Sequence, residues 1–416
     1  MNKVFKIAII GGGAAGLMAA LSASEITSEI VLIEKNQILG RKILATGNGR
    51  CNLTNRNVSE KNYFGGDTRI ISSILRQFDQ DQTIDFFQNQ LGILLKEEDR
   101  GRIFPRTNQA STIVDRLTEE LKVKKIEVML GQTVKNVTKS QTWKINLLSG
   151  ETIQAEKLII CTGGKASHQL GSSGDGMYFA TTLGHSVIPS YSALAPIETK
   201  ETWPREVSGL RLDQGSITSY ANGEVIFNSK GDVLFTHFGV SGPAVLAQAR
   251  QIAPFLAQNQ KVTLSIDIFD DKSESQLEEV LIQSFAPNGK KAVKNTLGGL
   301  VPKNLCEIVL RLASIDPEKK SAEISKIERK KLVQTLKSLT LAVSQTRPLK
   351  EAQVSTGGIE TKEINPRTLE SKIVPDLYFA GEVLDFDGES GGFNLQWAWS
   401  SGFVAGKYAA ESLDNK

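Results

Sequence analysis

The sequence predicts an α/β fold: a Rossmann-like nucleotide-binding domain assembled from two separated stretches of chain, interrupted by a β-rich insert that carries a small helical subdomain. Three observations predict it. A strand, a glycine turn and a helix lie at the amino end and are followed by a strand that closes on an acid. Segments of period-two alternation fill the middle of the chain. Glycine-rich, strand-to-helix chemistry then returns near the carboxyl end.

The first element is KIAIIGGGAAGLMAALSAS, from Lys6 to Ser24. A lysine-flanked apolar run followed by small residues imitates a secretory signal peptide, whose core is an unbroken apolar helix. Here Gly11, Gly12 and Gly13 interrupt the run. Each glycine costs about 1 kcal/mol against alanine inside a helix, whereas in a turn it frees positive φ and lets another group approach the backbone. Ile7 to Ile10 therefore reads as a strand and the alanine-rich segment as a helix. Gly11, Gly13 and Gly16 form G-x-G-x-x-G, with Ala20 supplying a small residue for helix-to-strand packing. Ala14, Ala15 and Gly16 open the helix, where unpaired amides and the dipole attract phosphates.

The second strand, Ile30 to Ile33, ends in Glu34, followed by Lys35. A carboxylate at this place accepts both hydroxyls of an adenosine ribose and repels a 2′-phosphate, which favours FAD or NAD over NADP. The next stretch, GRKILATGNGRCNLTN (Gly40 to Asn55), is too rich in Gly, Asn and Arg for a core element. It offers backbone and guanidinium donors suited to wrapping a pyrophosphate, with Gly47 and Asn48 at its centre. Helical periodicity follows over 72–88 and 110–121. A run of short strands then closes on the apolar strand Leu158 to Cys161 and the turn Thr162, Gly163, Gly164.

From Tyr191 the texture changes. GEVIFNSKGDVLFT reads as a hairpin, and KVTLSIDIF places Val262, Leu264, Ile266 and Ile268 on one face. TLAVSQT alternates in the same way and joins the same β layer. Between them the pattern is helical: Ser275 and Glu278 form a capping-box pair, and Leu305, Ile308, Val309 and Leu312 follow helical spacing. The expected organisation is 1–190 with 348–416 as the nucleotide domain, 191–272 with 338–347 as the β-rich insert, and 273–337 as the helical subdomain.

Composition limits the function. A chain of 416 residues is long enough for two or three domains with substantial cores. No apolar stretch approaches the length of a membrane span, so a membrane role is not expected. Cys51, Cys161 and Cys306 stand far apart, with no C-x-x-C and no metal-ligand spacing. That points to a reducing, cytoplasmic compartment and to no metal. The net charge of +3, from 49 basic and 46 acidic side chains, does not call for nucleic acid.

The carboxyl end holds the strand Leu377 to Ala380, then Gly381 and Glu382, then a glycine-rich turn opening a helix near Asn394. A strand ending in glycine plus an acid suits a ribityl chain and pyrophosphate, and helix amides beside it stabilise negative charge on a reduced flavin by about 0.3–2 kcal/mol. A nicotinamide dehydrogenase has no need of this third element, so the expected cofactor is FAD.

The ordered motifs GGGAAG, GRKILATGNGRCNLTN, TGGKASHQLGSSGDG, FTHFGVSGPA, VSTGGIE and LYFAGEVLDFDGESGGFNLQWAWSSG resemble a bacterial NAD(P)/FAD-dependent oxidoreductase family that includes aminoacetone oxidases and a bile-acid pathway reductase. The resemblance implies a Rossmann-like FAD domain, a β-barrel-like insert and a small helical domain. It implies non-covalent FAD contacts at Ala15, Glu34, Arg41, Lys42, Cys51, Asn52, Val134, Thr162, Gly163, Glu382, Asp385, Asn394 and Leu395. Val134 rests on the resemblance alone and would face adenine with its backbone.

Catalytic groups are less legible. Cys51 has no resolving partner and reads as a packing residue rather than a nucleophile. His237, in THFGVSGP, is the candidate proton carrier, the competing role being a hydrogen-bonded histidine at a domain junction. GSSGDG lacks a preceding strand and a later acid, so it reads as a turn beside the flavin. The expected activity is oxidation of a small amine with oxygen, or NAD(P)H-linked reduction of an unsaturated small molecule. Without a second fingerprint, NAD(P)H would dock only transiently. Two alternatives stand beside it: a redox sensor without turnover, and an RNA-modifying flavoprotein suggested by Lys290, Lys291, Lys294, Arg329, Lys330 and Lys331. A solvated helix face accounts better for those lysines and arginines.

Overall fold

The computed structural model describes residues 3–413. Two compact units divide the chain, one formed by 1–191 with 349–416 and the other by 192–348.

The first unit is built on a seven-stranded sheet. Val4–Ile10 lies at its centre, pairing in parallel with Ile30–Ile33 on one side and Thr152–Ile160 on the other. Ile30–Ile33 is wholly apolar and buried, and so is the end of the other neighbour, Leu158 to Ile160, as strands covered on both faces require. Glu127–Met129 extends the sheet beyond Ile30–Ile33, also in parallel. The long strand Thr152–Ile160 changes partner midway. Its first half pairs antiparallel with Trp143–Leu147, which in turn pairs with Val134–Lys139. Its second half takes the returning segment Leu377–Phe379 in parallel, with Leu158 opposite Leu377 and Ile160 opposite Phe379. Five parallel strands therefore end on one edge, at Ile10, Ile33, Met129, Ile160 and Phe379. Ligands bind at this edge in open α/β sheets.

The first helix, Ala14–Ala23, is buried over nearly its whole circumference. A helix apolar all round belongs between layers. The C-terminal helix, Phe393–Glu411, covers it through glycines: a Cβ at Gly402 would stand 2.3 Å from the Ala15 carbonyl oxygen, and one at Gly406 would stand 2.2 Å from that of Ala19. Ser22 Oγ donates to the Phe403 carbonyl at 2.8 Å along the same seam.

The second unit is a closed six-stranded barrel, in spatial order Ile197–Thr199, Gly239–Ser241, Glu224–Thr236, Arg211–Ala221, Val262–Asp267 and Leu339–Thr346. Ile217, Val233, Phe235, Leu264, Ile266 and Leu341 fill it. The helix Pro243–Ala257 is fixed to the wall by Gln248 Nε2, which donates to the Ile217 carbonyl at 2.9 Å and to Ser229 Oγ at 2.7 Å. The helices Glu274–Phe285, Lys303–Leu312 and Lys326–Lys337 share this apolar core.

Several local expectations are corrected. The helix expected over 72–88 is broken: Thr68–Leu75 ends before Asp79, which caps a new helix, Gln80–Asp85, through its own carboxylate. GEVIFNSKGDVLFT is no hairpin but one strand, Glu224–Thr236; the turn lies earlier, at Asn222 and Gly223, both at positive φ. The capping box is Ser273 with Gln276, two residues upstream of the expected pair. Leu312 ends its helix 43% exposed instead of joining Leu305, Ile308 and Val309 in the core. The polar loop after Gly40 holds a short helix, Arg41–Ala45, and GSSGDG runs directly into the helix Asp175–Thr182.

Candidate functional site

The glycine turn is shaped by close approach. A Cβ at Gly16 would fall 1.8 Å from the Gly11 carbonyl oxygen, and Gly11 itself, at φ +107°, abuts the Cys161 carbonyl. Neither position admits a side chain. Gly13 differs: it is the N-cap of the first helix, with no side-chain cap, and a Cβ there meets nothing within 4 Å. Beside this open position the first amides of the helix, at Gly13, Ala14 and Ala15, have no intrahelical partner.

Glu34 stands beside this space, 8% exposed. Its Oε2 accepts the Gly12 amide at 2.6 Å. Its Oε1 accepts the Asn36 amide and the Asn36 side chain, each at 2.7 Å. The carboxylate is thereby held rigid, while Oε2, which accepts one bond, keeps acceptor capacity for a sugar hydroxyl. Val134 begins the strand behind it, and the approach to that strand is tied to the Glu34 loop by Gln132 and Gly131, whose amides donate to the Glu34 and Asn36 carbonyls at 2.9 Å. Lys35 turns away to Asp175, at 2.6 Å, and also bonds Ser173. Arg41 is exposed and held by Asn36 at 2.9 Å.

On the other side, Gly163 and Gly381 turn at φ +74° and +82°. Lys42 Nζ donates to Glu382 Oε2 at 2.7 Å, and Glu382 Oε1 accepts the Ser355 amide at 2.9 Å and its hydroxyl at 3.1 Å. A Cβ at Gly164 would stand 2.3 Å from Ser355 Oγ and 2.7 Å from Glu382 Oε1, so a side chain there would displace this pair. Thr162 Oγ1 accepts the Gly176 amide at 3.1 Å. The carboxylate of Glu382 is thus engaged by protein on both oxygens, and it holds the Lys42 ammonium in place.

The loop after Lys42 carries strained backbone: Gly47, Asn48 and Cys51 all have φ between +56° and +60°. A non-glycine residue pays about 1–2 kcal/mol for such a conformation, and it persists where the surroundings over-determine it. Asn52 Oδ1 is buried without a hydrogen-bond partner, and an orphaned buried acceptor asks for a donor. Burial pushes the Cys51 thiol up to about 12, with a bond from Thr46 opposing it. Burial thus favours the neutral thiol over the thiolate that a nucleophile requires.

The C-terminal helix begins at an uncapped Gly392, φ +105°. Asn394 spends its side chain on the preceding loop, accepting the Gly388 amide at 2.7 Å and donating to the Gly388 and Glu389 carbonyls. It orients the helix start and leaves any ligand contact to backbone, as at partly buried Leu395. Asp385 is fixed by backbone as well, its carbonyl accepting the Gly66 amide at 2.9 Å and its amide donating to Ile359.

All the expected cofactor residues therefore fall within the first unit. His237 lies in the second, in the exposed turn between Glu224–Thr236 and Gly239–Ser241, its ring edge-on to Phe238 at 4.9 Å. Sequence reading missed Gly12, Asn36, Asp175 and Ser355. Each supports its neighbour by a hydrogen bond; Gly12, Asp175 and Ser355 lay inside the motifs GGGAAG, TGGKASHQLGSSGDG and VSTGGIE, whereas Asn36 lay in none. Among the described residues no group of His, Cys, Asp and Glu could hold a metal ion, and no helix is long and apolar enough to cross a membrane.

Comparisons place this architecture. The chain is 33% identical over 408 residues to the 3-dehydro-bile acid delta(4,6)-reductase of Clostridium scindens, covering 98% of this chain and 99% of the relative. It is 34% identical to the ribosomal RNA dihydrouridine synthase of Escherichia coli, covering 96% of each. The solved 3-ketosteroid delta1-dehydrogenase from Sterolibacterium denitrificans superposes with a TM-score of 0.53 at 11% identity, over 98% of this chain and 100% of that one, a likeness of fold. The family model for the HI0933-like protein Rossmann domain matches residues 5–408, and the chain belongs to that family.

Proposed function

We propose that the protein is an FAD-dependent oxidoreductase that adds two hydrogens across a carbon–carbon double bond conjugated to a carbonyl. The observation that carries the cofactor is the open space at the Gly13 N-cap, flanked by the clamped carboxylate of Glu34. In this reading the amides of Gly13 to Ala15 hold the diphosphate, Glu34 holds the adenosine ribose, Asn52 Oδ1 accepts from the cofactor, and Lys42 adds a positive charge. The start of the C-terminal helix presents amides to the flavin ring. When bound, FAD supplies the two-electron transfer, and the protein supplies orientation and exclusion of water.

The reaction type is supported by the relatives' names. A delta(4,6)-reductase and a dihydrouridine synthase both saturate a double bond conjugated to a carbonyl. Amine oxidation, the other branch of the resemblance, has no such support. NADH or NADPH is the donor in this reading, docking transiently.

Substrate size divides the reading in two. The bile-acid relative favours a free small molecule, and the ribosomal RNA relative favours a uridine within RNA. Anaerobic bleaching of the bound flavin by NADH or NADPH, then recolouring by an enone or by uridine-containing RNA, tests both. Recolouring by either supports the reaction type. A colourless protein that takes up no FAD, or a flavin bleached by no donor, contradicts it.

A further inference from the structure

A groove of about 690 Å³ lies in the first unit between the helix Thr68–Leu75 and the last turns of the C-terminal helix. Its lining is basic: Arg69, Arg76, Arg367 and Lys407 face a single acid, Glu60. The four cations are not equally available. Arg69 is bound to Asp67 at 2.6 Å, and Lys407 lies 3.8 Å from Glu411. Arg76 is exposed and makes no side-chain hydrogen bond or ion pair among the described residues. Arg367 has no acidic partner among the described residues either; its Nε donates to Tyr408 Oη at 3.1 Å, and its guanidinium stands 6.0 Å from that ring. Gln77 donates to the Arg367 carbonyl at 3.0 Å and joins the two sides. Two guanidiniums without acidic partners, flanking an aromatic ring in an open groove, suit phosphates presented in series.

The groove is remote from the candidate site. Phe393 and Tyr408 are 15 residues apart on one helix, which separates their levels by about 22 Å at 1.5 Å per residue. A ligand that reaches both ends must span at least about 22 Å, which suits an extended chain of nucleotides.

We propose that this groove holds the phosphate backbone of an RNA substrate and anchors it while a base is presented at the far end of the C-terminal helix. The proposal rests on the RNA branch of the function proposed above. It assigns the arginines a positional role, since phosphate contacts fix register and carry no sequence information.

The test is fluorescence anisotropy of the holoenzyme with a short labelled RNA hairpin, over a KCl series from about 50 to 200 mM. Arg76→Ala and Arg367→Ala are compared with the parent protein. The expected result is salt-dependent binding whose log–log slope becomes shallower by about 1 for each arginine removed, with flavin absorbance, melting temperature and enone-driven recolouring unchanged. Parent protein that binds no RNA at the lowest salt overturns the proposal, as does RNA binding indifferent to both substitutions. Displacement of the hairpin by inorganic tripolyphosphate at equal phosphate concentration also overturns it, because the groove is then a general anion site. Flavin reduction by NADH or NADPH is read separately, so failure of the anchor and failure of the flavin assignment are told apart.

Discussion

Lys42 Nζ and Glu382 Oε2 are 2.7 Å apart although 340 residues separate them in sequence. The bond ties the polar loop after the second strand to the segment returning beside Thr152–Ile160, joining the two pieces of the discontinuous unit. Both side chains are largely buried, with 26% and 16% of their surface exposed. Glu382→Gln keeps an acceptor for Ser355 and removes the charge that holds Lys42. Loss of a charge-assisted bond of about 1.5–3 kcal/mol predicts FAD affinity weaker by about ten- to a hundredfold, measured by flavin fluorescence titration of apoprotein. Unchanged affinity would detach this pair from the cofactor.

Gly13 and Gly402 make a matched pair of alanine substitutions. At Gly13 the backbone is at φ −83° and the added methyl meets no protein atom. Gly13→Ala is therefore expected to keep the melting temperature within about a degree or two and to lose most FAD binding, because the methyl enters the diphosphate space. At Gly402 the methyl would collide with the Ala15 carbonyl at 2.3 Å. Gly402→Ala is expected to destabilise by about 1–3 kcal/mol or more through overpacking, seen as a lower denaturation midpoint with or without FAD. The reverse pattern would place the ligand elsewhere.

A buried ion cluster predicts acid behaviour. Asp376 accepts from Lys157 at 2.6 Å and from Lys139 at 2.8 Å, and Lys157 is only 2% exposed. Burial of Asp376 opposes its ionisation, but the two ammonium groups outweigh that and hold its carboxyl well below the usual carboxylate range. A carboxyl lowered on folding contributes stability that is fully present above its unfolded value, about pH 4, and is lost as pH falls through the folded value. Lys157→Met should lower stability by about 1.5–3 kcal/mol, because Asp376 loses one of its two charge-assisted bonds and keeps the one to Lys139, and should flatten the dependence on pH below about 4 in urea melts.

Much of the fold was legible because the first unit uses local rules. Ile30–Ile33, the G-x-G-x-x-G turn and the C-terminal helix follow from short-range patterns, and each lies where the sequence placed it. The misses have physical causes. Periodicity over 72–88 could not register that Asp79 caps a second helix. A glycine within Glu224–Thr236 imitated a turn, yet Gly231 sits at φ +147° inside a continuous strand, facing Pro243 and Ala244 of the helix packed there. In the site, Glu34 was legible from its strand; the clamps on it, Gly12 and Asn36, were not, because a hydrogen bond leaves no period.

Cys51 offers a negative prediction. With its thiol pushed up to about 12 by burial, only about one molecule in ten thousand is thiolate at pH 8, so alkylation of the native protein by iodoacetamide should leave this residue unmodified, and Cys51→Ala should retain turnover. Rapid modification at Cys51 with loss of activity would restore the thiol as a catalytic group.

The most direct measurement is a crystal structure of the protein grown with FAD. The predicted density has the diphosphate against the amides of Gly13, Ala14 and Ala15, and Glu34 within hydrogen-bond distance of the adenosine ribose. A diphosphate seated elsewhere, or a ribose out of reach of Glu34, would contradict the account.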